Sequence, residues 1–449
     1  MRSNPHSKLI VTLLRGSYSI ERLLNSSILS IRFECYMTES MVLRSSFIID
    51  GNGGQPIRDG AILVEKGMIV KIGPRDAVRV PNGAEVVDLE DQTLLPGLIE
   101  PHQHFLAMDD RHYGDKIKDP EAYKALWAAR CAREDMRSGV TTIRLMGSHG
   151  WWSFAFKKAI EDDVIAGPRL LNAGRGVKAL DGHGFMGTPV SGIEEIRRVL
   201  RENFAMGADC VKIFISGGAH SPTGLMTSYF SREEIVAAVD EAHRHGVKIG
   251  AHAYGSIGAT WFIEAGGDSI EHGGALTEEQ MDLMVRKGTY LSITQPGGDP
   301  PYIKDVSVSW LTKDRKLQAV MEQRKKMVSE EEVCMRAVKK GVKFTTNQDI
   351  HFGGLPWNIT SLVKRYGISP MRAILANTKS AAECCGILDK VGTLEPGKCA
   401  DIISVKGNPL EEISNIQRAD MVMKGGRIYD PIRGYWKGLE DRGFLGLVQ

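Results

Sequence analysis

Two histidines separated by one residue mark the first place in this sequence where metal chemistry is possible. His102 and His104 end the segment PGLIEPHQH, residues 96–104, which begins as an apolar strand. Alternate residues of an extended strand point to the same face, so both imidazoles could bind one ion. Neutral imidazole is a preferred ligand of zinc. Two exposed loop histidines would give the same pattern, so this pair alone does not establish a metal site.

Four further polar residues stand in or just after later apolar runs. Lys212 lies inside VKIF, where an unpaired ammonium is costly to bury unless its chain extends to water at a strand end. His252 ends GAH, His272 ends SIEH, and Asp349 follows KFTTNQ. Each residue alone is compatible with a structural role. Together they favour a shared catalytic site, because barrel enzymes place their catalytic groups at the carboxyl ends of strands.

These residues belong to a middle region in which short β-branched runs alternate with helical stretches. The strand runs are residues 95–99, 139–145, 168–173, 210–215, 247–252, 269–272, 289–294 and 342–346. One of the helical stretches opens with the capping pattern S-x-x-E at Ser231 and Glu234. This alternation predicts an α/β fold, a (β/α)8 TIM barrel. A doubly wound open sheet is the rival fold, and the absence of G-x-G-x-x-G after an early strand weakens it.

Both ends of the chain contain short strands and tight turns instead. Runs such as AILVE at residues 61–65 and ADIISV at residues 400–405 lie next to glycine-rich turns. Because chain ends often lie near each other, we expect both to form one small β-sandwich domain. The expected boundaries are an extension of uncertain order at residues 1–40, the β domain at residues 41–95 and 392–440, and the barrel at residues 96–391.

Composition excludes several classes of protein. The 449 residues carry 57 basic and 55 acidic side chains, a balance that gives no reason to expect nucleic acid or an acidic membrane as partner. Seven irregularly spaced cysteines without a C-x-x-C pair indicate reduced thiols and a cytoplasmic protein. No apolar stretch reaches the roughly 18 residues of a membrane span. We interpret residues 1–36 as a loose extension or as a segment that precedes a translation start at Met37 or Met41. An uncleaved targeting segment is the alternative interpretation.

Taken together, the motifs resemble those of the amidohydrolase superfamily. The likeness runs from about Met41 onward and includes the HxH strand, the lysine strand, two later histidine strands and the closing aspartate. It continues through GTLEPGKCAD at residues 392–401. The segments GPR (167–169), GHG (182–184), SGG (216–218) and EAH (241–243) are similar to the branch of imidazolonepropionase-like and Xaa-Pro dipeptidase (prolidase)-like enzymes. That branch also resembles ochratoxin-cleaving amidases and hydrolases of phenylurea and thiocarbamate herbicides.

The resemblance implies a binuclear centre of two divalent metal ions, with Zn²⁺ preferred. The ligands it implies are His102, His104, Lys212, His252, His272 and Asp349. The first two histidines would bind the more buried ion together with the aspartate, and the other two histidines would bind the second ion. Lys212 would carry a carbamate derived from carbon dioxide and bridge both ions, since an ammonium cannot ligate a cation.

The sequence departs from the family pattern at two places near these ligands. Glu100 stands where the family often has aspartate, and Asn347-Gln348 stand where it often has Gly-Thr. Without gaps, the register still aligns Asp349 with the closing aspartate of the family. The bulkier amides could alter the metal geometry or add a ligand, so they bear on the number of ions more than on the reaction class.

The implied reaction is hydrolysis of a C–N bond in an amide, urea, carbamate or dipeptide by metal-activated hydroxide. Asp349 would act as general base and then as acid to the leaving nitrogen. His183, in a glycine-rich loop, could donate a hydrogen bond to the developing oxyanion. The candidate substrate contacts are His183, His220, Tyr229, Trp151 and His351. Tyr229 resembles a position near the substrate carboxylate in dipeptidase relatives, and packing within a loop is the alternative role for the others.

Two other functions remain open at this stage. A mononuclear deaminase-type amidohydrolase would need three histidines and an aspartate but no strand lysine, so Lys212 argues against it. A non-catalytic amidohydrolase-like scaffold would lack several ligands, whereas all six positions are filled here. The resemblance also implies a homo-oligomer that takes a small-molecule substrate. The sequence does not identify that substrate.

Overall fold

The computed structural model describes residues 40–105, 118–184, 186–218, 224–294, 329–432 and 434–437. The strands are β1 (Ser40–Ile48), β2 (Ile57–Glu65), β3 (Met68–Pro74), β4 (Glu85–Pro96), β5 (Leu98–Gln103), β6 (Val140–Leu145), β7 (Arg169–Asn172), β8 (Gly176–Ala179), β9 (Gly187–Val190), β10 (Cys210–Phe214), β11 (Lys248–Ala253), β12 (Ser269–His272), β13 (Tyr290–Thr294), β14 (Phe344–Asn347), β15 (Ile402–Lys406), β16 (Ala419–Lys424), β17 (Arg427–Asp430) and β18 (Tyr435–Trp436). The helices are α1 (Glu121–Arg137), α2 (Trp152–Glu161), α3 (Ile193–Ala205), α4 (Arg232–Arg244), α5 (Ile257–Glu264), α6 (Glu278–Lys287), α7 (Glu330–Lys340), α8 (Leu355–Lys364), α9 (Pro370–Ala376) and α10 (Lys379–Cys385). The extension at residues 1–36 and His220 lie outside the described residues.

Strands from both ends of the chain form one eight-stranded sheet. Its order is β18-β17-β16-β15-β4-β1-β2-β3, with β15 antiparallel and β1 parallel to β4. In the tight turn between β2 and β3, Lys66 and Gly67 have φ angles of 48° and 77°, as a two-residue hairpin turn requires. Apolar side chains such as those of Leu43, Ile62 and Met423 are fully buried in a core of their own. Both chain ends therefore contribute to a separate β-rich unit.

The middle of the chain forms parallel strands joined by helices. Seven strands pair in the order β14-β13-β12-β11-β10-β8-β9, and three pair in the order β5-β6-β7. All of these pairings are parallel. The strand runs of the sequence thus give the expected α/β architecture, because parallel strands covered by helices are apolar on both faces.

The third strand run is divided in two in the structure. β7 pairs with β6, whereas β8 pairs with β10, and residues 173–175 lie between them. Gly174 allows this break because its φ is 64° and an added Cβ would lie 2.7 Å from the ring of Phe154. The sequence signal ended at residue 173 and did not indicate the separate strand β8.

Helix α4 illustrates how local signals and burial combine. Its predicted capping box forms, with Glu234 N–H donating to Ser231 Oγ at 3.3 Å and Ser231 N–H to Glu234 Oε2 at 2.8 Å. The helix then buries Ile235 and Val239 in the main core. Each such side chain contributes about 1.5–3 kcal/mol when fully removed from water.

The structure also gives the state of the cysteines and the length and apolar character of the helices. Their six cysteines, at positions 131, 210, 334, 384, 385 and 399, are all free thiols. Among the helices of the described ranges, none has the length and apolar character that a membrane span requires.

Candidate metal centre

The predicted polar residues meet at the carboxyl ends of the parallel strands. His102 lies in β5, Lys212 in β10, His252 in β11 and His272 at the end of β12, while His104 directly follows β5 and Asp349 lies two residues after β14. The four histidines and the lysine are buried, and the Asp349 side chain is 27% exposed. The strand positions therefore bring six chemically active side chains to one edge of the sheet.

Three donor atoms converge most closely. The Nε2 atoms of His102 and His104 lie 3.1 Å apart. Oδ1 of Asp349 lies 3.5 Å from each of them. Nζ of Lys212 lies 3.2 Å from Nε2 of His102. Two histidines and an aspartate thus form a group that could hold a metal ion, with the lysine amine beside it.

The remaining histidine rings continue this group. The ring of His272 lies 5.3 Å from that of His102 and 4.5 Å from that of His252, measured between centroids. The His183 ring lies a further 4.4 Å from His252. The rings therefore form an uninterrupted row that leads from the buried strand β5 towards the loop that follows β8.

Backbone conformation aims two of these side chains. His272 and Asp349 have φ angles of 77° and 59°, in the left-handed region that costs a non-glycine residue about 1–3 kcal/mol. Asp349 is held there by two backbone bonds to β5, because its N–H donates to the carbonyl of His102 (3.0 Å) and its carbonyl accepts from His104 (2.9 Å). Such strain is typical of positions whose side-chain direction matters for function.

Acceptors on the far side of each ring fix the tautomers of His102 and His104. Nδ1 of His102 lies 2.8 Å from Oε2 of Glu271, and Nδ1 of His104 lies 3.0 Å from the carbonyl oxygen of Gly147. A carbonyl or an ionised carboxylate can only accept, so both Nδ1 atoms carry the proton. The two Nε2 atoms that face each other therefore present lone pairs.

The other two histidines follow the same rule with different atoms. Nε2 of His252 donates to the carbonyl of Gly217 at 3.1 Å, which leaves its Nδ1 unprotonated. Nδ1 of His272 lies 2.7 Å from Oγ1 of Thr294, whose own proton goes to Asn347 Oδ1 at 3.1 Å. The hydroxyl must therefore accept from His272, and Nε2 of that ring is unprotonated. All four rings present one nitrogen lone pair each.

Burial shifts the pKa values in the direction that metal binding needs. It lowers the pKa of His102, His252 and His272 well below the usual value, and that of His104 to about 3. Neutral imidazole, the ligating form, is therefore the form present at neutral pH. Burial also lowers the pKa of Lys212 to about 8.

The Asp349 carboxyl is the most accessible of these groups. Burial raises its pKa to about 6, although the nearby Lys212 amine lowers it in part. Two imidazole lone pairs and a carboxylate oxygen within 3.5 Å of one another would repel without a positive charge between them. Nitrogen and carboxylate ligands in this proportion fit a divalent ion such as zinc.

The departures from the family pattern have other partners. The Asn347 side chain donates to Ser292 Oγ at 2.8 Å and accepts from Thr294. Oε1 of Gln348 accepts from Gly354 N–H at 2.8 Å. Glu100 joins the ends of β5 and β14, since its carboxylate accepts from the N–H groups of His102 (3.0 Å) and Gln348 (3.2 Å). The two amides thus support the strand ends through these contacts.

The structure brings His183 to the site, against the ring of His252. An added Cβ on Gly218 would lie only 2.4 Å from the His183 ring, so this glycine provides the space in which the imidazole sits. The Phe214 ring closes the other side, 6.1 Å from His183 and 5.8 Å from His252. His183 is therefore held beside the ligand cluster by packing.

The other candidate contacts have mainly structural partners. Trp151 lies under the guanidinium of Arg175, 4.1 Å from its ring centroid. The backbone of His351 packs in its loop, with its N–H donating to the Gln348 carbonyl at 3.0 Å. Tyr229 N–H donates to the Ile215 carbonyl at 3.1 Å, next to β10.

Sequence reasoning missed three residues that contact the cluster. Glu271 accepts from His102, Arg144 pairs with Glu271 at 2.9 Å, and Phe214 lies 4.9 Å from the Lys212 amine. The sequence held a signal for two of them. Phe214 is two residues after Lys212 and so shares its face of the strand. Arg144 stands in an apolar run, as Lys212 does.

Known proteins match this chain over most of its length. The profile of the Amidohydrolase family matches residues 93–429. Ochratoxinase from Aspergillus niger is 28% identical over 443 residues, covering 88% of each chain. Imidazolonepropionase from Geobacillus thermodenitrificans (strain NG80-2) is 24% identical over 438 residues, covering 84% of this chain and 91% of that one. The crystal structure of a Xaa-Pro dipeptidase with bound methionine superposes with a TM-score of 0.74, 29% identity, and coverage of 87% of this chain and 100% of the other. Three enzymes of the expected branch are thus similar to it.

Proposed function

The chain belongs to the amidohydrolase family, and from that premise we propose that it is a metal-dependent hydrolase that cleaves a C–N bond in an amide, urea, carbamate or dipeptide. The observation that carries this proposal is the convergence of His102 Nε2, His104 Nε2 and Asp349 Oδ1 within 3.5 Å of one another. Three atoms with lone pairs repel one another at this distance, and a bound cation would remove that repulsion. The tautomers of His102 and His104 support this, because their ring protons lie on the Nδ1 atoms, which bond to Glu271 and to the Gly147 carbonyl.

We propose a binuclear centre in which the ligands are those that the resemblance implied. His102, His104 and Asp349 would hold one ion, and Nδ1 of His252 and Nε2 of His272 would hold the other. When bound, the two ions would polarise the scissile carbonyl and lower the pKa of water towards neutrality. The distance of 4.5 Å between the His252 and His272 rings supports their joint role.

Lys212 would bridge this centre as a carbamate. Its amine nitrogen would form a bond to the carbon of carbon dioxide and release one proton, and the resulting oxygens could reach both ligand groups. The reaction needs the neutral amine, and burial lowers the Lys212 pKa to about 8, so this form is more abundant at neutral pH than in an ordinary lysine. Its position 3.2 Å from His102 Nε2 supports the assignment.

The protein groups would move protons and bind the substrate oxygen. Asp349 would take a proton from the attacking water and pass it to the leaving nitrogen, and its position beside the proposed ligands, with a side chain that is 27% exposed, supports this role. His183, 4.4 Å from the His252 ring, would donate a hydrogen bond to the carbonyl oxygen as negative charge develops there. Tyr229, Trp151, His351 and His220 remain candidates for contacts with the rest of the substrate.

We propose further that the parallel strands close into a (β/α)8 barrel and that the eight-stranded sheet folds as a β-sandwich. The two backbone bonds between Asp349 and the end of β5 support closure between β14 and β5. β7 and β8 would share the third barrel position. The domains would be residues 41–95 with 392–440, and residues 96–391, after an extension at residues 1–40. A cytoplasmic homo-oligomer remains a prediction, which mass measurement in solution would test.

Metal content and a substrate panel test the proposed function. The protein would be expressed with bicarbonate present, and its metals counted by inductively coupled plasma mass spectrometry. We expect close to two ions per chain, with hydrolysis of at least one member of a panel of ochratoxin, Xaa-Pro dipeptides, aryl ureas and thiocarbamates. One ion per chain would favour the mononuclear deaminase instead. A chain without metal or hydrolysis would favour the non-catalytic scaffold.

A further inference from the structure

A buried pair of opposite charges lies directly behind the candidate metal centre. Arg144 in β6 and Glu271 in β12 are both completely buried, and Nη2 of Arg144 lies 2.9 Å from Oε1 of Glu271. Ser269 Oγ donates to the same oxygen at 2.6 Å and lies 3.3 Å from Arg144 Nη2. Because removing two charges from water costs about as much as their attraction returns, stability alone is a poor reason for such a pair.

Both members of the pair contact His102 or the residue before it. Oε2 of Glu271 accepts from Nδ1 of His102 at 2.8 Å. Nε of Arg144 donates to the carbonyl of Pro101 at 2.6 Å. Glu271 therefore contacts the His102 ring, and Arg144 contacts the backbone of the preceding residue.

The four histidines of the centre differ in this respect. His104 and His252 donate to backbone carbonyls, and His272 donates to the hydroxyl of Thr294. His102 donates instead to a carboxylate, which is a stronger acceptor and gives the imidazole more negative character. Its other nitrogen also has competing neighbours, the Lys212 amine at 3.2 Å and the Asp349 carboxylate at 3.5 Å. Among the four rings, His102 is thus the one whose Nδ1 meets a carboxylate while its Nε2 meets an amine.

We propose that Arg144 and Glu271 form a positioning pair that keeps the proton of His102 on Nδ1 and aims Nε2 at the metal ion. Arg144 and Ser269 occupy Oε1 of Glu271, so that Oε2 alone remains for the ring. Without the carboxylate, the ring can turn its proton towards Asp349 and lose its lone pair for the ion. The inference rests on the proposed function, since His102 is a proposed ligand.

Two variants test the pair in the full-length protein. Glu271→Met removes the acceptor but keeps a side chain of similar length, and Arg144→Met/Glu271→Met also removes the arginine that would otherwise stay buried without its partner. We expect zinc affinity, measured by competition with a chelator, to fall about 10- to 100-fold in both variants. In metal-free protein labelled with ¹⁵N-histidine, we expect His102 to be protonated on Nδ1 in the wild type and to gain the Nε2–H form in the variants.

A matched control separates positioning from general destabilisation. Glu241 in α4 is also completely buried and accepts from Arg201 Nε at 2.7 Å, but it lies on a helix and contacts none of the candidate ligands. Glu241→Met should lower stability and leave both zinc affinity and the His102 tautomer as in the wild type.

The outcomes distinguish this inference from the proposed function. A wild type that binds no zinc overturns the proposed function, whereas the tautomer signals of the metal-free protein still test the pair. A folded double variant with wild-type zinc affinity and an unchanged Nδ1–H tautomer overturns the inference. The same holds if the wild-type ring carries its proton on Nε2, or if Glu241→Met weakens zinc binding as much as Glu271→Met does.

Discussion

Charged side chains have different partners and different exposure at the two ends of the same parallel strands. At the amino ends of β11 to β14, Lys248 pairs with Asp268 at 2.7 Å and Lys343 with Glu383 at 3.7 Å, around a cavity of about 510 Å³. The lysines there are 44% and 57% exposed. Each charge meets the opposite charge, and water reaches both.

At the carboxyl ends, lone pairs face lone pairs in a buried cluster. His102 and His104 direct unprotonated nitrogens at each other, with the Asp349 carboxylate beside them. His272 and Asp349 also adopt strained backbone conformations there. At the amino ends the charged groups are therefore paired with each other, whereas at the carboxyl ends two histidines and an aspartate form a group that could hold a metal ion.

Removal of one lysine from each end of the strands should give the largest difference in activity between the two ends. Lys212→Ala should lower kcat/KM by about 10³-fold or more and reduce the metal content, because the ions supply several kcal/mol of transition-state stabilisation. Lys248→Ala should change kcat/KM little, since an exposed ion pair contributes about 0–1 kcal/mol. Steady-state kinetics and metal analysis on both variants give the comparison. Full activity in Lys212→Ala would remove the bridging role.

Exchange of a histidine at each end should give the next largest difference. His183→Asn should lower kcat about 10²-fold with the metal content unchanged, because it removes a hydrogen bond to developing negative charge. His243, which bonds to Asp268 at 2.9 Å at the amino ends, is the matched control, and His243→Asn should leave kcat near the wild-type value. Equal kcat values in the two variants would mean that His183 only packs its loop.

Metal removal should destabilise the carboxyl-end cluster. An ion present at about 100 times its dissociation constant stabilises the folded state by about 2.7 kcal/mol, so a chelator should lower the melting temperature. Differential scanning calorimetry with and without chelator would measure the shift. The variant His102→Asn should show little of it, because its site is already impaired. A shift of equal size in that variant would mean that the stabilising ion binds elsewhere.

The sequence identified the six clustered residues because five of them stand at or near a strand end and Lys212 stands inside an apolar strand run. A strand of known direction places its last residues at one edge of the sheet, so His252, His272 and Asp349 could be grouped without knowing their distances. The capping box at Ser231 was also predicted from residues that are close in sequence, and it forms as expected.

Other features depend on contacts between distant segments and could not be read in the same way. The Glu271 carboxylate and the His102 ring are 169 residues apart in the chain, and only folding joins them. The division of the third strand at Gly174 depends on the nearby Phe154 ring. The space for His183 depends on Gly218, which is 35 positions later in sequence. Local patterns thus predict where a side chain lies along a strand but not which group it meets across the fold.

The smallest expected effect is a change in melting temperature that has opposite signs at two aspartates, of which Asp135 is buried and Asp268 is partly exposed. Asp135 in α1 accepts the N–H of Gly353, four residues after Asp349, at 2.6 Å, and burial raises its pKa to about 8. A carboxyl whose pKa is higher in the folded state stabilises that state fully below its unfolded pKa of about 3.9, and this contribution is lost as the pH rises towards 8. Asp135→Asn keeps an uncharged acceptor for Gly353, so it should raise the melting temperature by a few degrees at pH 7.5, with the gain vanishing near pH 4.

Asp268 should respond in the opposite direction. It accepts from Lys248 Nζ at 2.7 Å and from the Ile249 N–H at 2.9 Å, so its charge is matched at the amino ends of the strands. Asp268→Asn removes the charge from these bonds and should lower the melting temperature at pH 7.5. Melting curves of both variants and the wild type between pH 4 and pH 8 give the comparison. A loss of stability in Asp135→Asn at pH 7.5 would mean that the Asp135 carboxyl is ionised and paired in the folded protein. In that case the difference between the two ends of the strands would be confined to the metal-centre residues.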